Sequence, residues 1–494
     1  METITKEAKK AFVPEKKYDI KYAYRILLLL AILAAFVMYV DIMLTPSLPV
    51  IGEQYGVDAA TASLIISLYL VFGTAIMPVI GKLGDIYGKK RMIIYVLIAY
   101  SAMVAITSFT SNFTTLLISR TFQGIGLSIF PLAFSMIREE FPMDLIPRAQ
   151  GLLAGMFGGG IALGLPLGAY IANSYGWQAN YHIALPFIVA LTILIFFVAK
   201  ESVYRNLKAK LDYIGAIWLG AALSMMVFGI SEGSNWGWTS FWVLLMTIGG
   251  ALLIVPLIYV EKHREQPILN TKLLSKKNVL IANFIAIMSS TSMYLAFISI
   301  AYRLETPAPG GFGFDILTTG LYLVPLAIAM LAVGYPIGVL ISRYGVKRFL
   351  LIGSIVAVVG FLLLATANQA IQIAEYLTIA AAGLGIMMVS AQNLLVLSVD
   401  PNEMGLATSL NSVFRNLGAS LGVPVAGSLI STFVASYIVS GVSVSFPTTA
   451  AFQYCYYIAA AGFIAVFFIS FLADEVIKRT GGIKLINPKN TPKV

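Results

Sequence analysis

The chain has 494 residues, 59% of them hydrophobic and only 11% charged, against roughly 25% charged in a soluble protein. Most of its surface must therefore face hydrocarbon. A single Cys (Cys455) excludes an internal disulfide, and two distant histidines (His182 and His263) form no metal-ligand pair.

The basic N-terminal stretch, from Lys6 to Arg25, precedes an apolar run from Ile26 to about Val40. The run is longer than a signal-peptide core and no small-residue cleavage pattern follows, so it reads as an uncleaved first span. A spanning helix needs ~20 mainly apolar residues. Predicted spans lie at about 26–46, 60–81, 92–110, 113–137, 149–173, 181–199, 213–231 and 240–260. Six more follow at about 279–300, 317–341, 348–367, 373–398, 404–436 and 452–474, making fourteen. The 404–436 stretch is longer than one span requires and could include an interfacial segment. In the 231–239 turn, Trp236 and Trp238 suit an interfacial anchor.

With the N-terminus inside, 30 of the 33 Lys and Arg fall in the inner loops and tails. Arg303 alone falls outside, and Arg120 and Arg415 lie within spans. Both termini are therefore expected in the cytoplasm. The net charge of +10 then faces anionic headgroups, which removes the case for nucleic acid.

Residues Gly81 to Arg91, GKLGDIYGKKR, recur as GVLISRYGVKR, Gly338 to Arg348. Gly124 and Gly126 answer Gly383 and Gly385, and Gly164 and Gly168 answer Gly418 and Gly422, at offsets between 254 and 259. The expected fold is an all-α membrane protein of fourteen transmembrane helices, in two pseudo-symmetric six-helix halves with a two-helix insert. Its parts are a cytoplasmic tail 1–25, a first half 26–199, basic linkers with the insert 200–278 (helices at about 213–260), a second half 279–474 and a tail 475–494. Such duplication often places a substrate site at mid-membrane.

Several segments together resemble the major facilitator superfamily, in its fourteen-span drug:proton antiporter branch. GKLGDIYGKKR is similar to the family's loop 2–3 signature, with Asp85 in the acidic position. RTFQGIG at 120–126 resembles the span-4 signature, and GGGIALGLPLG at 158–168 the antiporter signature of span 5. LDYIGA at 211–216 and RNLGASLG at 415–422 look like the insert entry and the span-13 signature of that branch. The resemblance implies proton-coupled efflux of amphiphilic, drug-like compounds by alternating access across the cell membrane. It implies small molecules and protons as partners, a monomer in the bilayer, and no cofactor. The alternative is proton-coupled transport of a specific anionic metabolite, favoured by two intramembrane Arg against one Asp. No GxxxxGK[ST] motif is present, which argues against ATP-driven transport. A membrane enzyme would need a His cluster or a Ser–His–Asp set, and neither is found.

An ionisable side chain inside a span costs roughly 2.5–3.5 kcal/mol or more, so it marks a functional candidate. Asp41 in span 1 and Arg120 in span 4 lie at similar depth and are expected to pair as a proton switch. A substrate cavity is expected from Tyr39, Tyr69, Gln123, Gln392, Asn393, Asn411 and Arg415. In the repeated loop, Gly81 and Gly88 allow close approach and turning. Asp85 is expected to pair with Lys90 or Arg91, or to meet the start of span 13 near Met404 and hold the cytoplasmic side shut. In span 5, Gly160, Gly164, Pro166 and Gly168 are expected to form a closely packed, bendable helix at the interface between the halves.

Overall fold

The computed structural model describes residues 19–142, 146–201, 213–264, 271–399, 404–439, 442–479 and 482–485. Spans 1 to 3 are Ile20–Ile42, Ala59–Tyr87 and Lys89–Ser108. Span 4 runs from Phe113 to Glu140, interrupted by a 3-10 segment Gly124–Ser128. Spans 5 to 8 are Ile146–Tyr175, Gln178–Val198, Tyr213–Ser231 and Phe241–Lys262. Spans 9 to 14 are Lys277–Glu305, Ile316–Tyr344, Val346–Thr366, Ala370–Leu397, Met404–Thr432 and Thr449–Ser470. Thirteen of these are long and apolar enough to cross a membrane. Span 5, at 30 residues, has ample length and completes the fourteen.

Local chemistry sets where the spans begin and end. Asp58 Oδ1 accepts the Thr61 N–H at 3.0 Å, Asn112 Oδ1 accepts the Thr114 N–H at 2.7 Å, and Asp315 Oδ1 accepts the Thr318 N–H at 3.2 Å. Each satisfies an orphan donor at a helix start. Spans 2 and 10 both stop at a glycine with positive φ, Gly88 at 106° and Gly345 at 89°. Directly after each glycine a carboxylate caps the next helix. Glu201 accepts the N–H groups of Lys90 and Arg91, both at 3.2 Å, and Glu475 accepts that of Lys347 at 3.4 Å. A side chain on Gly88 or Gly345 would collide with those carboxylates. The repeat is thus a repeated turn whose N-terminal helix dipole is met by an acid in each half.

Packing obeys the same duplication. Spans 1 and 5, 2 and 4, and 3 and 6 pack in the first half, as spans 9 and 13, 10 and 12, and 11 and 14 do in the second. Gly164 and Gly168 lie against Ile42 and Met43 of span 1, while Gly418 and Gly422 lie on the backbone of Ile287 and Thr291 in span 9. Gly124 and Gly126 seat span 4 on spans 2 and 3, and Gly383 and Gly385 seat span 12 on spans 11 and 10. The neighbours correspond, in reversed order along the helix.

The insert is not peripheral. Span 7 packs on span 2 of one half and span 13 of the other, so it covers the seam between them. Ser231 Oγ donates to the Ala60 carbonyl at 2.8 Å, and Trp238 Nε1 to Thr432 Oγ1 at 3.3 Å. Leu219, Leu223 and Val227 bury themselves with Leu64 and Val71 in a separate apolar cluster. Span 8 is mostly exposed, as befits a helix that meets lipid.

Two expectations change. The long 404–436 stretch is a helix only to Thr432, and a hairpin follows, pairing β1 (Val434–Val439) with β2 (Val442–Pro447). The VSVSFP alternation explains it, because β-branched residues at period two favour a strand. Arg303 is not in an outer loop. It is buried in the last turn of span 9, donates to the Ala367 carbonyl, and sits 6.0 Å from the Phe452 ring centroid.

Candidate functional site

Asp41 and Arg120 do come together, in the buried heart of the first half. Arg120 Nη2 lies 3.7 Å from Asp41 Oδ1, longer than a good hydrogen bond. The firmer grip is on the backbone, where Nη2 donates to the Asp41 carbonyl at 2.8 Å. Nη1 donates to Gln123 Oε1 at 2.9 Å, and the guanidinium stacks 4.2 Å over the Tyr69 ring. Gln123 is itself fixed by donating to Thr107 Oγ1 at 2.6 Å. Arg120 is therefore held by groups that keep their chemistry whatever the state of the Asp41 carboxyl.

The Asp41 side chain has a different partner. Its Oδ2 accepts the Tyr294 hydroxyl at 3.1 Å, across the boundary between the halves. Its Oδ1 has no hydrogen-bond partner. Tyr294 was not among the expected site residues, since one tyrosine in an apolar span carries no mark of its own. The repeat does not single it out either. The paired glycines match Tyr39 with Ile287 and Met43 with Thr291, so Tyr294 lies more than a helical turn beyond the counterpart of Asp41. Only the folded contact across the halves reveals it.

Both residues line a central cavity of about 40 Å³ together with Arg415. Met38 and Met77 come from the first half, and Met293 and Met388 from the second. Ser290, Ser412 and Asn416 add polar atoms, and Phe130, Leu70, Leu127 and Ile161 form part of the apolar wall. Thioether side chains adapt to ligands of varied shape. At this volume the cavity holds a water or two, far short of the roughly 300–1,000 Å³ that ligand pockets occupy.

Most of the other expected cavity residues serve the scaffold. Tyr39 donates to Asn180 Oδ1 at 3.3 Å, while Tyr69 and Gln123 fix Arg120. Asn411 donates to Asn283 Oδ1 at 3.0 Å, and Asn393 to the Val389 carbonyl of its own helix at 2.8 Å. None of these, nor Gln392, lines the cavity. Tyr39, Gln123 and Asn411 use their polarity to hold helices to one another, whereas Asn393 bonds only within its own helix.

The repeated loop also pairs differently from expectation. Asp85 meets Lys89 at 3.3 Å, not Lys90 or Arg91. Lys89 is buried and also bonds Glu139 at the end of span 4. Arg91 Nε lies 3.6 Å from Glu201. The loop is thus tied to spans 4 and 6 of its own half. Residues 400–403 and the Met404 side chain lie outside the described residues, and so does the expected cross-half contact. Gly81 has open space where a Cβ would stand, and only Gly88 has a conformation that demands glycine.

The span-5 glycines face inward. Gly160 lies on Ala35 and Met38, and Gly164 and Gly168 continue the contact along span 1. The ladder thus fastens two helices of one half. The adjoining face of span 5, at Leu165 and Ala169, is what meets the other half, against Gly320 of span 10. Pro166 lies within the helix between these contacts.

The family model described as Major Facilitator Superfamily matches residues 30–423 and again 279–487. The chain belongs to this superfamily. Members are transporters, not enzymes. Relatives of this superfamily member include two proteins of Bacillus subtilis (strain 168). It is 27% identical over 77% of its length to the multidrug transporter protein MdtP, covering 70% of that protein. It is also 27% identical over 73% of its length to multidrug resistance protein 3, again covering 70%. Among solved structures, the human organic anion transporter MFSD10 (TETRAN) superposes with a TM-score of 0.58 at 18% identity, covering 92% of this chain and all of that one. That likeness concerns the superfamily fold alone.

Proposed function

We propose that this protein exports amphiphilic, drug-like compounds in exchange for protons, as a fourteen-span drug:proton antiporter working by alternating access. In this reading the basic loops face the cytoplasm and the chain functions as a monomer in the cell membrane. The observation that carries it is Asp41, an acid in the cavity wall of one half that is hydrogen-bonded to Tyr294 of the other. A proton arriving at Asp41 changes a contact between the moving halves. The names of the two multidrug relatives support the substrate class, as do the four methionines of the cavity.

A magnitude decides how Asp41 works. At an effective dielectric near 20, attraction to Arg120 at 3.7 Å is worth about 4 kcal/mol. Desolvating a buried carboxylate costs several kcal/mol. The two oppose each other and are of the same order, so a substrate cation or a change in water access shifts the balance. Arg120 stays in place during this exchange, held by the Asp41 carbonyl, Gln123 and Tyr69.

Proteoliposomes with an imposed pH gradient test the proposal. The parent protein should accumulate a lipophilic cation against its gradient, and Asp41→Asn should only equilibrate it. Unchanged gradient-driven accumulation in Asp41→Asn would remove Asp41 from the mechanism. Arg415 in the cavity wall favours a second reading, transport of an organic anion. Under that reading the same assay shows anion movement that Arg415→Ala abolishes.

A further inference from the structure

At the end of the bundle opposite the basic loops, a carboxyl group is buried with no cation to pair it and only the Thr319 hydroxyl acting on it. Glu305 closes span 9, and its carboxyl oxygens are shut off from solvent. No donor makes a well-formed hydrogen bond to them, the Thr319 hydroxyl being the polar group that acts on them. The hydroxyls of Tyr302, one turn back, and of Thr319 in span 10 are likewise buried and make no well-formed hydrogen bond. The ionisable groups acting on Glu305 and Tyr302 are Asp315, Asp58 and each other, all acidic or phenolic. Arg303, two residues away, is turned aside to Ala367 and Phe452.

The cluster lies on the seam between the halves. Spans 9 and 10 pack there against the segment from Thr45 to Tyr55 of the first half. Tyr302 Oη stands 3.7 Å from where a Cβ on Gly52 would be. Nearby, Ser431 Oγ accepts the Ala60 N–H at 3.1 Å, and Gly427 lies on Ala59 and Ser63. This end is closed by direct contact between halves.

We infer that Glu305 is a proton-binding latch, which lets this end close when its carboxyl is protonated and drives it open when the proton leaves. An ionised carboxylate shut in among acids would be a buried charge with no cation to offset its lost hydration, and one hydroxyl does not make up that loss. The protonated carboxyl is instead a donor, and Thr319 Oγ1 is the acceptor beside it. Ionisation becomes affordable once the seam parts and water enters. The closed state therefore binds the proton more tightly than the open one, and by linkage rising pH favours opening. The inference rests on the proposed alternation of access, but it does not involve Asp41 or the central cavity.

The test uses the full chain in nanodiscs, with spin labels at Val50→Cys and Ala308→Cys, exposed on either side of the seam. Cys455 is buried and stays unlabelled. Distances are measured by electron–electron double resonance from about pH 5 to about pH 9, a range covering shifted carboxyls. The parent should open as pH rises, with the open-to-closed ratio growing about tenfold per pH unit through the transition. Glu305→Gln should stay closed throughout. Parent and variant behaving alike, whether both open or both closed, would overturn the latch. Infrared spectroscopy guards against a misfolded variant: the closed parent should show the carbonyl stretch of a protonated carboxyl that Thr319→Val shifts, and no such band in the closed parent would also overturn it. Asp41→Asn should keep the seam's pH response while losing pH-driven transport, so failure of transport alone indicts only the coupling proposal.

Discussion

Asp41 touches three things at once: a guanidinium in its own half, a phenol in the other, and the cavity. Removing only the phenol separates these roles. Tyr294→Phe should leave Arg120 in place and cost about 1 kcal/mol of coupling between the halves, read as a several-fold change in apparent substrate affinity with pH-gradient dependence retained. An unaltered affinity would mean that the contact between Tyr294 and Asp41 carries no load. Asp41 and Arg120 were legible in the sequence because a charge in an apolar span advertises itself. Tyr294 was not, being one of 25 tyrosines, and only its contact with Asp41 across the halves distinguishes it. The amides misled for a physical reason: in a membrane bundle, buried Asn and Gln serve helix contacts as readily as ligands.

Among the helices, glycine positions that look alike in sequence separate by what lies opposite. Gly164→Val would drive its side chain into Ile42 and the Tyr39 backbone, and overpacking of this kind costs about 1–3 kcal/mol. A lowered melting temperature should follow, whereas Gly81→Ala, with open space around it, should leave melting unchanged. Equal melting temperatures for the two variants would show that span 5 relaxes away from span 1. The turn glycines work with Glu201 and Glu475, which the repeat alone did not single out, because each caps a helix more than a hundred residues distant in sequence. Glu201→Gln should cost about 1 kcal/mol through the lost helix-terminal charge, measured as a shift in thermal unfolding that high salt diminishes in the parent. The β1–β2 hairpin shows the opposite case, a local pattern present in the sequence but hidden by a span count tuned to apolar length.

For the whole molecule, the duplicated architecture could be read from the recurring loop, the paired glycines and the apolar runs. Their joint message was specific because an offset that stays within a few residues over so many positions leaves few other folds. How the insert sits could not be read, since nothing in spans 7 and 8 names their neighbours. Span 7 covers the seam between span 2 and span 13, while the central cavity remains closed down to about 40 Å³. Substrate entry thus requires the halves to part, and the proposed coupling requires that substrate and proton compete for Asp41. The most direct test is proton release on substrate binding, followed with a pH indicator in weakly buffered solution of the purified protein. The parent should release about one proton per lipophilic cation bound at a pH where Asp41 is protonated, and Asp41→Asn should bind the cation without releasing any. Equal release from both proteins would contradict the account.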